Sequence, residues 1–371
     1  MFISTNEELK ELIARASAEK AVALDTEFVW ERTFYPNLGL VQLAIKREAF
    51  LIDPLSIEDL TPLGELIANP DVIKILHDAQ QDLTILKKAT GASPQNVFDT
   101  RLAYGFCSPR STLSLAALLE QTQGVVLPKT ETRANWLQRP LSQKMLEYAC
   151  DDVKYLTEVM RIIIKRSEAH KTADWLRDEM KLYDNPALYE EVEPEEYFRK
   201  VKGVNLLKGQ KLAILQELAC WREKKARELN RPRGHVVHNN ILVDLTYKCP
   251  RRLENLKTIK RLSPNSLRRY GRELLQCIEK GLKRPEDMLP APEYRPPRQP
   301  QTEMIMLLIQ EKAEKLGIDP ALVCSSREVT LQLVTKDKES RLFKGWRKEI
   351  LQGIFAKDNI GALLGAEKLS K

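Results

Sequence analysis

The stretch Val22-Ala23-Leu24-Asp25-Thr26-Glu27-Phe28 places two carboxylates in an apolar segment that is typical of a buried strand. Because side chains alternate along a strand, Asp25 and Glu27 project from the same face. Neighbouring carboxylates repel each other and lose hydration on burial, which is tolerable when a hard cation lies between them. The alternative is a strand end that meets a turn, where acidic residues are common. The segment alone favours a metal site only modestly.

Apolar runs on the C-terminal side of this strand predict an α/β domain with a mixed sheet. Leu38–Ile45 and Ala49–Ile52 follow Ala21–Val29 across short breaks, as in an antiparallel meander. Helix and strand then alternate. The predicted elements are a helix at 57–68, a strand at 72–76, a helix at 79–88, a strand at 96–99, helical segments over 101–121 and a long helix over 142–169 with Ser142 as its N-cap.

A second acidic candidate lies in His77-Asp78-Ala79-Gln80-Gln81-Asp82-Leu83, which opens the helix after the strand at 72–76. Asp78 occupies a position typical of an N-cap, and capping is its expected role. Asp82 lies one turn further along, where an ordinary exposed helix residue is the alternative to a ligand. His77 at a strand end is more often structural than catalytic.

A third candidate is Tyr148-Ala149-Cys150-Asp151-Asp152-Val153 on the long helix. Residues four apart share a helix face, so Tyr148 and Asp152 stack one turn apart. Asp151 is also within one turn of Tyr148, and spacing alone does not choose between the two aspartates. In isolation, a Tyr/Asp pair on a helix is usually ordinary surface.

Charge is distributed unevenly along the 371 residues, although the chain as a whole carries only +7. Residues 1–200 contain 24 Lys and Arg against 32 Asp and Glu, a net of −8. Residues 201–284 contain 21 against 7, a net of +14, and residues 285–371 contain 14 against 13, a net of +1. A basic segment usually meets a polyanion, most often nucleic acid, whereas the alternative is a solvated lysine-rich surface.

Composition shifts divide the chain into four parts. We predict an α/β domain over 1–190, a basic all-helical domain over 205–284, a stiff proline-rich linker over 285–300 and a second helical domain over 301–371. The stretch 271–278 echoes 346–354, which favours duplication of a small helical module. The near-neutral C-terminal copy is expected to pack against the first domain rather than bind a polyanion directly.

Bulk properties predict a cytoplasmic protein without membrane segments. The longest apolar runs are too short to span a bilayer, and the N-terminus lacks the layout of a signal peptide. The six cysteines form no Cys-x-x-Cys pair, so structural zinc and a disulfide framework are both disfavoured.

The acidic segments together, Asp-x-Glu on a strand, Asp82 on one helix and Tyr-x-x-x-Asp on another, resemble the DEDD exonuclease superfamily in its tyrosine-bearing subgroup. The similarity is closer still to the ribonuclease D family. Further segments support it: 39–44, 98–103 and 136–141. The two helical segments resemble the HRDC (helicase-and-RNase-D C-terminal) module. The resemblance implies a ribonuclease H-like α/β exonuclease domain with a mixed sheet, followed by two all-α HRDC domains.

The resemblance also implies roles for individual residues. It assigns Asp25, Glu27, Asp82 and Asp152 as ligands of two divalent cations, Mg²⁺ or Mn²⁺, and Tyr148 as the residue that positions the attacking water. Two cations roughly 4 Å apart suit phosphodiester cleavage, and oxygen ligands favour magnesium or manganese over zinc. A tyrosine with an ordinary pKa of about 10 is a poor general base near neutral pH. The segment 127–133 is expected near the mouth of the site.

Substrate contacts are predicted on both parts of the chain. They are Thr26 and His77 beside the carboxylates, and Arg231, Arg233, Arg251 and Arg252 in the basic segment. Phosphate contacts by such arginines provide affinity with little sequence choice.

These residues lead to one principal hypothesis and two alternatives. The principal one is a monomeric 3′-to-5′ exoribonuclease that releases nucleoside 5′-monophosphates and trims the 3′ ends of precursor tRNA and other small structured RNAs. One alternative is a DNA 3′–5′ exonuclease, which the absence of a polymerase region disfavours. The other is an RNA-binding module with an inactive nuclease domain, against which the complete carboxylate set argues.

Overall fold

The computed structural model describes residues 1–127, 134–292 and 300–355 of the chain. Three stretches lie outside the described residues: 128–133, 293–299 and 356–371. The first is most of the segment expected near the mouth of the site, and the second is part of the predicted linker. The described chain forms two compact units. Unit one contains Met1–Val29, Leu38–Glu190 and the described helices after the linker. Unit two contains Trp30–Asn37 and the described residues from Glu191 up to the linker.

Unit one is built around a six-stranded mixed sheet. Its strands are β1 (Phe2–Ile3), β2 (Ala21–Val29), β3 (Asn37–Ile45), β4 (Glu48–Ile52), β5 (Ile73–Leu76) and β6 (Val97–Asp99). They lie in the order β1-β4-β3-β2-β5-β6. Strands β3 and β4 are antiparallel, whereas β5 runs parallel to both β2 and β6. The carboxyl ends of β2, β5 and β6 therefore lie at one edge, where α/β sheets usually bind ligands.

Helices cover both faces of this sheet. They are α1 (Asn6–Ser17), α2 (Thr61–Ala68), α3 (Gln80–Thr90), α4 (Thr100–Tyr104), α5 (Leu115–Gln123), α6 (Gln143–Lys154), α7 (Leu156–Ala169) and α8 (Ala173–Met180). The mixed α/β exonuclease-domain fold expected from the sequence is thus confirmed. Helix α2 begins four residues later than predicted, because the carboxylate of Asp53 accepts from Leu55 N and Ser56 Oγ and holds the preceding residues in a turn.

The predicted long helix from Ser142 is two helices. Ser142 caps α6 as expected, and its hydroxyl accepts from the Met145 N–H at 3.3 Å. The chain leaves helical hydrogen bonding at Tyr155, where α6 ends and α7 begins. Sequence periodicity did not reveal this break, because the apolar spacing continues across it.

The helices after the linker belong to unit one, which confirms the expectation that they pack against the first domain. They are α14 (Pro300–Leu316), α15 (Pro320–Val323), α16 (Ser326–Thr335) and α17 (Gly345–Leu351). Five helices, from α9 (Gly209–Glu228) to α13 (Pro264–Lys283), precede them in the chain and belong to unit two. A Cβ at Gly105 would lie 2.7 Å from Leu322 Cδ1, so the close approach of α15 requires glycine there.

A buried ion pair joins α17 to α8. The Glu179 carboxylate accepts from Arg347 Nη1 at 2.8 Å, from Arg347 Nη2 at 2.7 Å and from Trp346 Nε1 at 2.9 Å. Both charged side chains are 9% exposed. Removing one partner of such a pair leaves an uncompensated buried charge.

We therefore expect Arg347→Met to lower the free energy of unfolding by about 3–5 kcal/mol. Chemical denaturation measured by circular dichroism would show it. The neighbouring exposed Lys348 provides a matched control, and Lys348→Met should change stability by less than about 0.5 kcal/mol. Equal stabilities of the two variants would contradict this role of the ion pair.

Unit two is all-helical around the long helix α9 (Gly209–Glu228). The other helices are α10 (Arg233–Val236), α11 (Asn239–Lys248), α12 (Leu253–Leu256) and α13 (Pro264–Lys283). A Cβ at Gly281 would lie 2.5 Å from the Ile214 Cα, which shows how closely α13 packs on α9. Residues 30–37, predicted to belong to the first domain, pack in unit two, where Asn230 Oδ1 accepts from the N–H groups of Phe34 and Tyr35.

None of the described helices has the length and apolar composition required to span a bilayer. All six cysteines are free thiols.

Candidate active site

Three of the four predicted ligands meet at the carboxyl end of β2. Oxygen atoms of Asp25, Glu27 and Asp152 all lie within 4.8 Å of one another. The alternation of β2 brings the first two together, and α6 packs against β2 and supplies the third. The structure also resolves the choice that spacing left open, because Asp151 lies outside this group and its carboxylate is 3.9 Å from Lys154 Nζ.

Asp82 lies beside this group on the first turn of α3. It is 9% exposed, and its Oδ1 accepts a hydrogen bond from the Thr26 hydroxyl. Its charge raises the pKa of Asp25, Glu27 and Asp152. Asp82, the fourth predicted ligand, is therefore close enough to the other three carboxylates to interact with their charges, and the hydrogen bond from Thr26 orients it.

The electrostatics of the cluster favour a cation. Burial, followed by repulsion from Asp82, Asp152 and Glu27, raises the pKa of Asp25 well above its usual value. Burial is also the main cause that raises the pKa of Glu27 to about 8, of Asp152 to about 7 and of Asp82 to about 6. These carboxylates supply only oxygen ligands, which suits hard divalent cations. A bound cation would offset both the repulsion between the carboxylates and the cost of keeping them ionised away from water, so the residues fit such ions.

This electrostatic strain predicts how metal-free stability depends on pH. The folded state holds the Glu27 proton more tightly than the unfolded chain, so stability falls as pH rises from about 4.5 to about 8. Glu27→Gln removes that loss, and we expect it to stabilise the metal-free protein at pH 8 by about 1–3 kcal/mol relative to wild type.

The measurement is thermal unfolding without metal at pH 5.5 and pH 8. The exposed Glu11 on α1 provides a matched control, since Glu11→Gln should unfold like wild type at both pH values. Added Mg²⁺ should stabilise the wild type at pH 8 and affect Glu27→Gln much less. A Glu27→Gln protein that loses as much stability between the two pH values as wild type would refute the argument.

Tyr148 stands next to Asp152, as the helical spacing predicted. Its hydroxyl lowers the pKa of Asp152, while burial and the neighbouring Asp152 and Glu27 raise the pKa of Tyr148 above its ordinary 10. The phenol is thus protonated near neutral pH and can donate a hydrogen bond but not take up a proton. Its ring centroid lies 6.1 Å from that of Trp136.

A clamp that sequence reasoning missed holds the Trp136 segment against the sheet. Arg139 donates from Nε to Asp53 Oδ2 at 2.9 Å and from Nη2 to the Gly39 carbonyl at 2.6 Å. A Cβ at Gly39 would lie 2.6 Å from the Trp136 carbonyl oxygen, so only glycine fits there. The quoted segments 39–44 and 136–141 contain these residues, but their pairing across about a hundred positions carries no local signal.

Asp99 at the end of β6 is a second residue that was missed, and it corrects the expected role of Asp78. Its carboxylate accepts from the N–H groups of Asp78 at 3.1 Å and Ala79 at 2.9 Å, and it also caps α4. Asp78 does not cap α3, because its side chain is exposed and pairs with Arg101. The start of the Asp82 helix is therefore fixed by a carboxylate from the adjacent strand.

Two of the predicted substrate contacts are used inside the protein. His77 Nδ1 lies 3.0 Å from Thr100 Oγ1 and Nε2 lies 3.1 Å from the Leu113 carbonyl, so both ring nitrogens have partners inside the protein, and a substrate contact by His77 stays a prediction. Burial lowers the pKa of His77, which is consistent with a neutral ring.

Arg233 also has partners within its own unit, and its contact with substrate stays a prediction. Its Nε donates to Glu223 Oε2 at 2.6 Å and its Nη2 to Glu223 Oε1 at 2.8 Å, and its guanidinium lies 4.4 Å from the Phe34 ring centroid and 4.2 Å from that of Tyr197. The guanidinium of Arg233 therefore links three residues of unit two to one another. Arg231, Arg251 and Arg252 are exposed on unit two, and none of the predicted arginines belongs to the unit that contains the carboxylates.

The sheet topology and the carboxylate cluster fit a metal-dependent hydrolase, and the family match below places the first unit in the 3′–5′ exonuclease class. The family model described as 3′-5′ exonuclease matches residues 1–168, and the HRDC domain model matches residues 211–278. A ribonuclease D that is 45% identical over 95% of this chain shows that the chain belongs to the ribonuclease D family of 3′–5′ exoribonucleases. Only one HRDC match covers the chain in this comparison, so a second HRDC domain after the linker stays a prediction.

Relatives along the whole chain support this membership. Ribonuclease D of Desulfotalea psychrophila is 45% identical over 95% of this chain and 96% of its own length. Ribonuclease D of Escherichia coli K12 is 34% identical over 94% of this chain and 95% of its own. The crystal structure of E. coli RNase D superposes with a TM-score of 0.86 and covers 98% of each chain.

Proposed function

We propose that this exoribonuclease trims the 3′ ends of precursor tRNA and other small structured RNAs and releases nucleoside 5′-monophosphates. The observation that carries the proposal is the cluster of Asp25, Glu27 and Asp152 within 4.8 Å, with Asp82 and Tyr148 beside it. The E. coli relative is described as an exoribonuclease involved in structured RNA processing, which supports this class of substrate.

We further propose that Asp25, Glu27, Asp82 and Asp152 hold two divalent cations, Mg²⁺ or Mn²⁺. When bound, such ions supply charge neutralisation at the phosphate and acidify a nearby water. The carboxylates position them, and Thr26 fixes the orientation of Asp82 through the hydrogen bond described above.

Tyr148 orients the attacking water in this proposal. Because its hydroxyl stays protonated, it donates a hydrogen bond to the water oxygen and leaves a lone pair directed at phosphorus. The clamp of Arg139 on Asp53 and Gly39 keeps Trp136 against the ring of Tyr148 and restricts its motion.

The remaining expectations belong to the same proposal. Arg231, Arg251 and Arg252 contact RNA phosphates, the protein acts as a monomer, and it is cytoplasmic. The +14 charge of residues 201–284 supports the RNA contacts, because counterion release upon phosphate binding favours association.

A time course on a 3′-extended tRNA tests the proposal. With Mg²⁺ or Mn²⁺, we expect stepwise shortening from the 3′ end with mononucleotide products, and EDTA should stop it. A DNA oligonucleotide of matched sequence should be degraded much more slowly. Equal degradation of DNA would favour the DNA exonuclease alternative, and binding of RNA without metal-dependent release would favour the inactive module.

A further inference from the structure

Unit two contains a cavity of about 460 Å³ with a strongly basic lining. Four cationic side chains border it: Lys200, Arg222, Arg233 and Arg261. Among the described residues that line it, none carries a carboxylate. These cations come from four separate segments of the chain, so the fold and not a local run of basic residues brings them together.

Arg222 provides an unused donor at this cavity. Its side chain is only 2% exposed, and its Nη1 donates to Asn239 Oδ1 at 2.7 Å and to the Val237 carbonyl at 3.2 Å. Its Nε is buried and has no hydrogen-bond partner among the described residues. A buried guanidinium with an unsatisfied N–H is costly unless an acceptor completes it, and an anion is the strongest such acceptor.

The N-terminus of α11 adds a second source of positive potential. The N-cap residue His238 and the first two residues of this ten-residue helix, Asn239 and Asn240, line the cavity. Within the part of the chain that the structure describes, no side chain caps α11. The free N–H groups and the helix dipole at such an end attract phosphate and related anions.

One acidic residue, Glu223, offsets part of this charge but is shared among several arginines. Glu223, which is fully buried, accepts both bonds of the Arg233 fork and also pairs with Arg227 at 3.3 Å. Glu223 therefore partly neutralises the charge of Arg233, which lines the cavity. Lys200 and Arg261 are exposed lining residues, whereas Arg222 is buried and donates its hydrogen bonds to neutral acceptors.

We propose that this cavity is a phosphate-binding site, separate from the hydrolytic carboxylates, that takes either a backbone phosphate of RNA or the phosphate of a free nucleoside 5′-monophosphate. Its volume suits a ligand of nucleotide size. RNA as the source rests on the function proposed above, whereas the phosphate chemistry rests only on unit two.

The test replaces the two exposed border cations, because the buried Arg222 is a risk to folding. Lys200→Ala/Arg261→Ala is compared with Lys257→Ala/Lys280→Ala, which removes the same charge from exposed positions of unit two outside the cavity lining. RNA affinity is measured by fluorescence anisotropy in full-length protein that also carries Asp25→Ala, so that cleavage does not interfere. Binding of AMP and of inorganic phosphate is measured by thermal shift at constant ionic strength without metal.

For RNA as the ligand, we expect the cavity pair to weaken binding about tenfold and the control pair about twofold or less. For a free nucleotide, the cavity pair should abolish the thermal shift caused by AMP while RNA affinity matches the control pair. Equal effects of the two pairs in both assays would overturn the site.

Hydrolysis of a dinucleotide by the cavity pair, in protein that retains Asp25, should match wild type. Loss of hydrolysis in the wild type itself would refute only the proposed function, since phosphate binding is read without cleavage.

Discussion

Replacement of Asp25 by alanine should abolish RNA cleavage at every concentration of Mg²⁺ or Mn²⁺, with a loss of about three orders of magnitude or more. Asp25 belongs to the three-carboxylate group and interacts electrostatically with each of the other predicted ligands. Without Asp25, the site lacks the carboxylate that interacts with all three other predicted ligands, so a higher metal concentration cannot restore it.

The same position should have the opposite effect on stability. Asp25→Asn keeps the shape of the side chain but removes a charge that burial and three neighbouring carboxylates disfavour. Metal-free Asp25→Asn should therefore unfold at a higher temperature than metal-free wild type at pH 8, although it is inactive. Initial rates on a 3′-labelled RNA and thermal unfolding in EDTA measure the two effects.

Asp151 provides the matched control for both measurements. It neighbours Asp152 on α6 but lies outside the carboxylate group and near Lys154. Asp151→Asn should retain cleavage within about twofold of wild type. Burial also raises the pKa of Asp151, but nearby Lys154 opposes that rise, so this variant should gain less stability in EDTA than Asp25→Asn. Metal-dependent cleavage by Asp25→Ala would invalidate the assignment of the site.

Replacement of Tyr148 by phenylalanine should lower kcat by about 10- to 100-fold and change RNA affinity by less than about twofold. The change removes one hydroxyl and keeps the ring beside Trp136, so the fold of the site is preserved. Loss of the hydrogen bond to the attacking water affects the transition state more than the bound substrate.

The pH profile distinguishes orientation of water from general-base catalysis. Because burial raises the pKa of Tyr148 above 10, the wild-type hydroxyl does not titrate between pH 6 and pH 9. Tyr148→Phe should therefore show the wild-type profile at a lower rate. Tyr155→Phe, a change at the junction of α6 and α7, is the control and should leave kcat unaltered. Parallel losses in kcat and affinity for Tyr148→Phe would argue for a structural role instead.

Local rules predicted the parts of the site that lie on single elements. Strand alternation placed Asp25 and Glu27 on one face, and helical spacing placed Tyr148 beside Asp152. The same rules could not choose Asp152 over Asp151, because both lie within a turn of Tyr148. The packing of α6 on β2 made that choice.

Partners that are far apart in the chain were missed. The sequence analysis placed His77 and Arg233 among the substrate contacts, but it could not show which residues of the protein they contact. Their actual partners include Leu113 for His77, and Glu223 and Phe34 for Arg233. Phe34 lies almost two hundred residues from Arg233, and no periodicity relates the two positions.

The sequence by itself determined the mixed α/β fold, the carboxylate motif and the contrast between an acidic first half and a basic middle segment, because these follow from short-range periodicity and composition. The tertiary structure alone decided that Asp99 binds the backbone N–H groups of Asp78 and Ala79 just before α3, and that Arg139 clamps the Trp136 segment. It also decided that the C-terminal helices join unit one through Glu179 and Arg347, and that four distant cations surround one cavity. The physical reason is that a buried polar group must find a partner, and which distant partner it finds is set by how the elements pack.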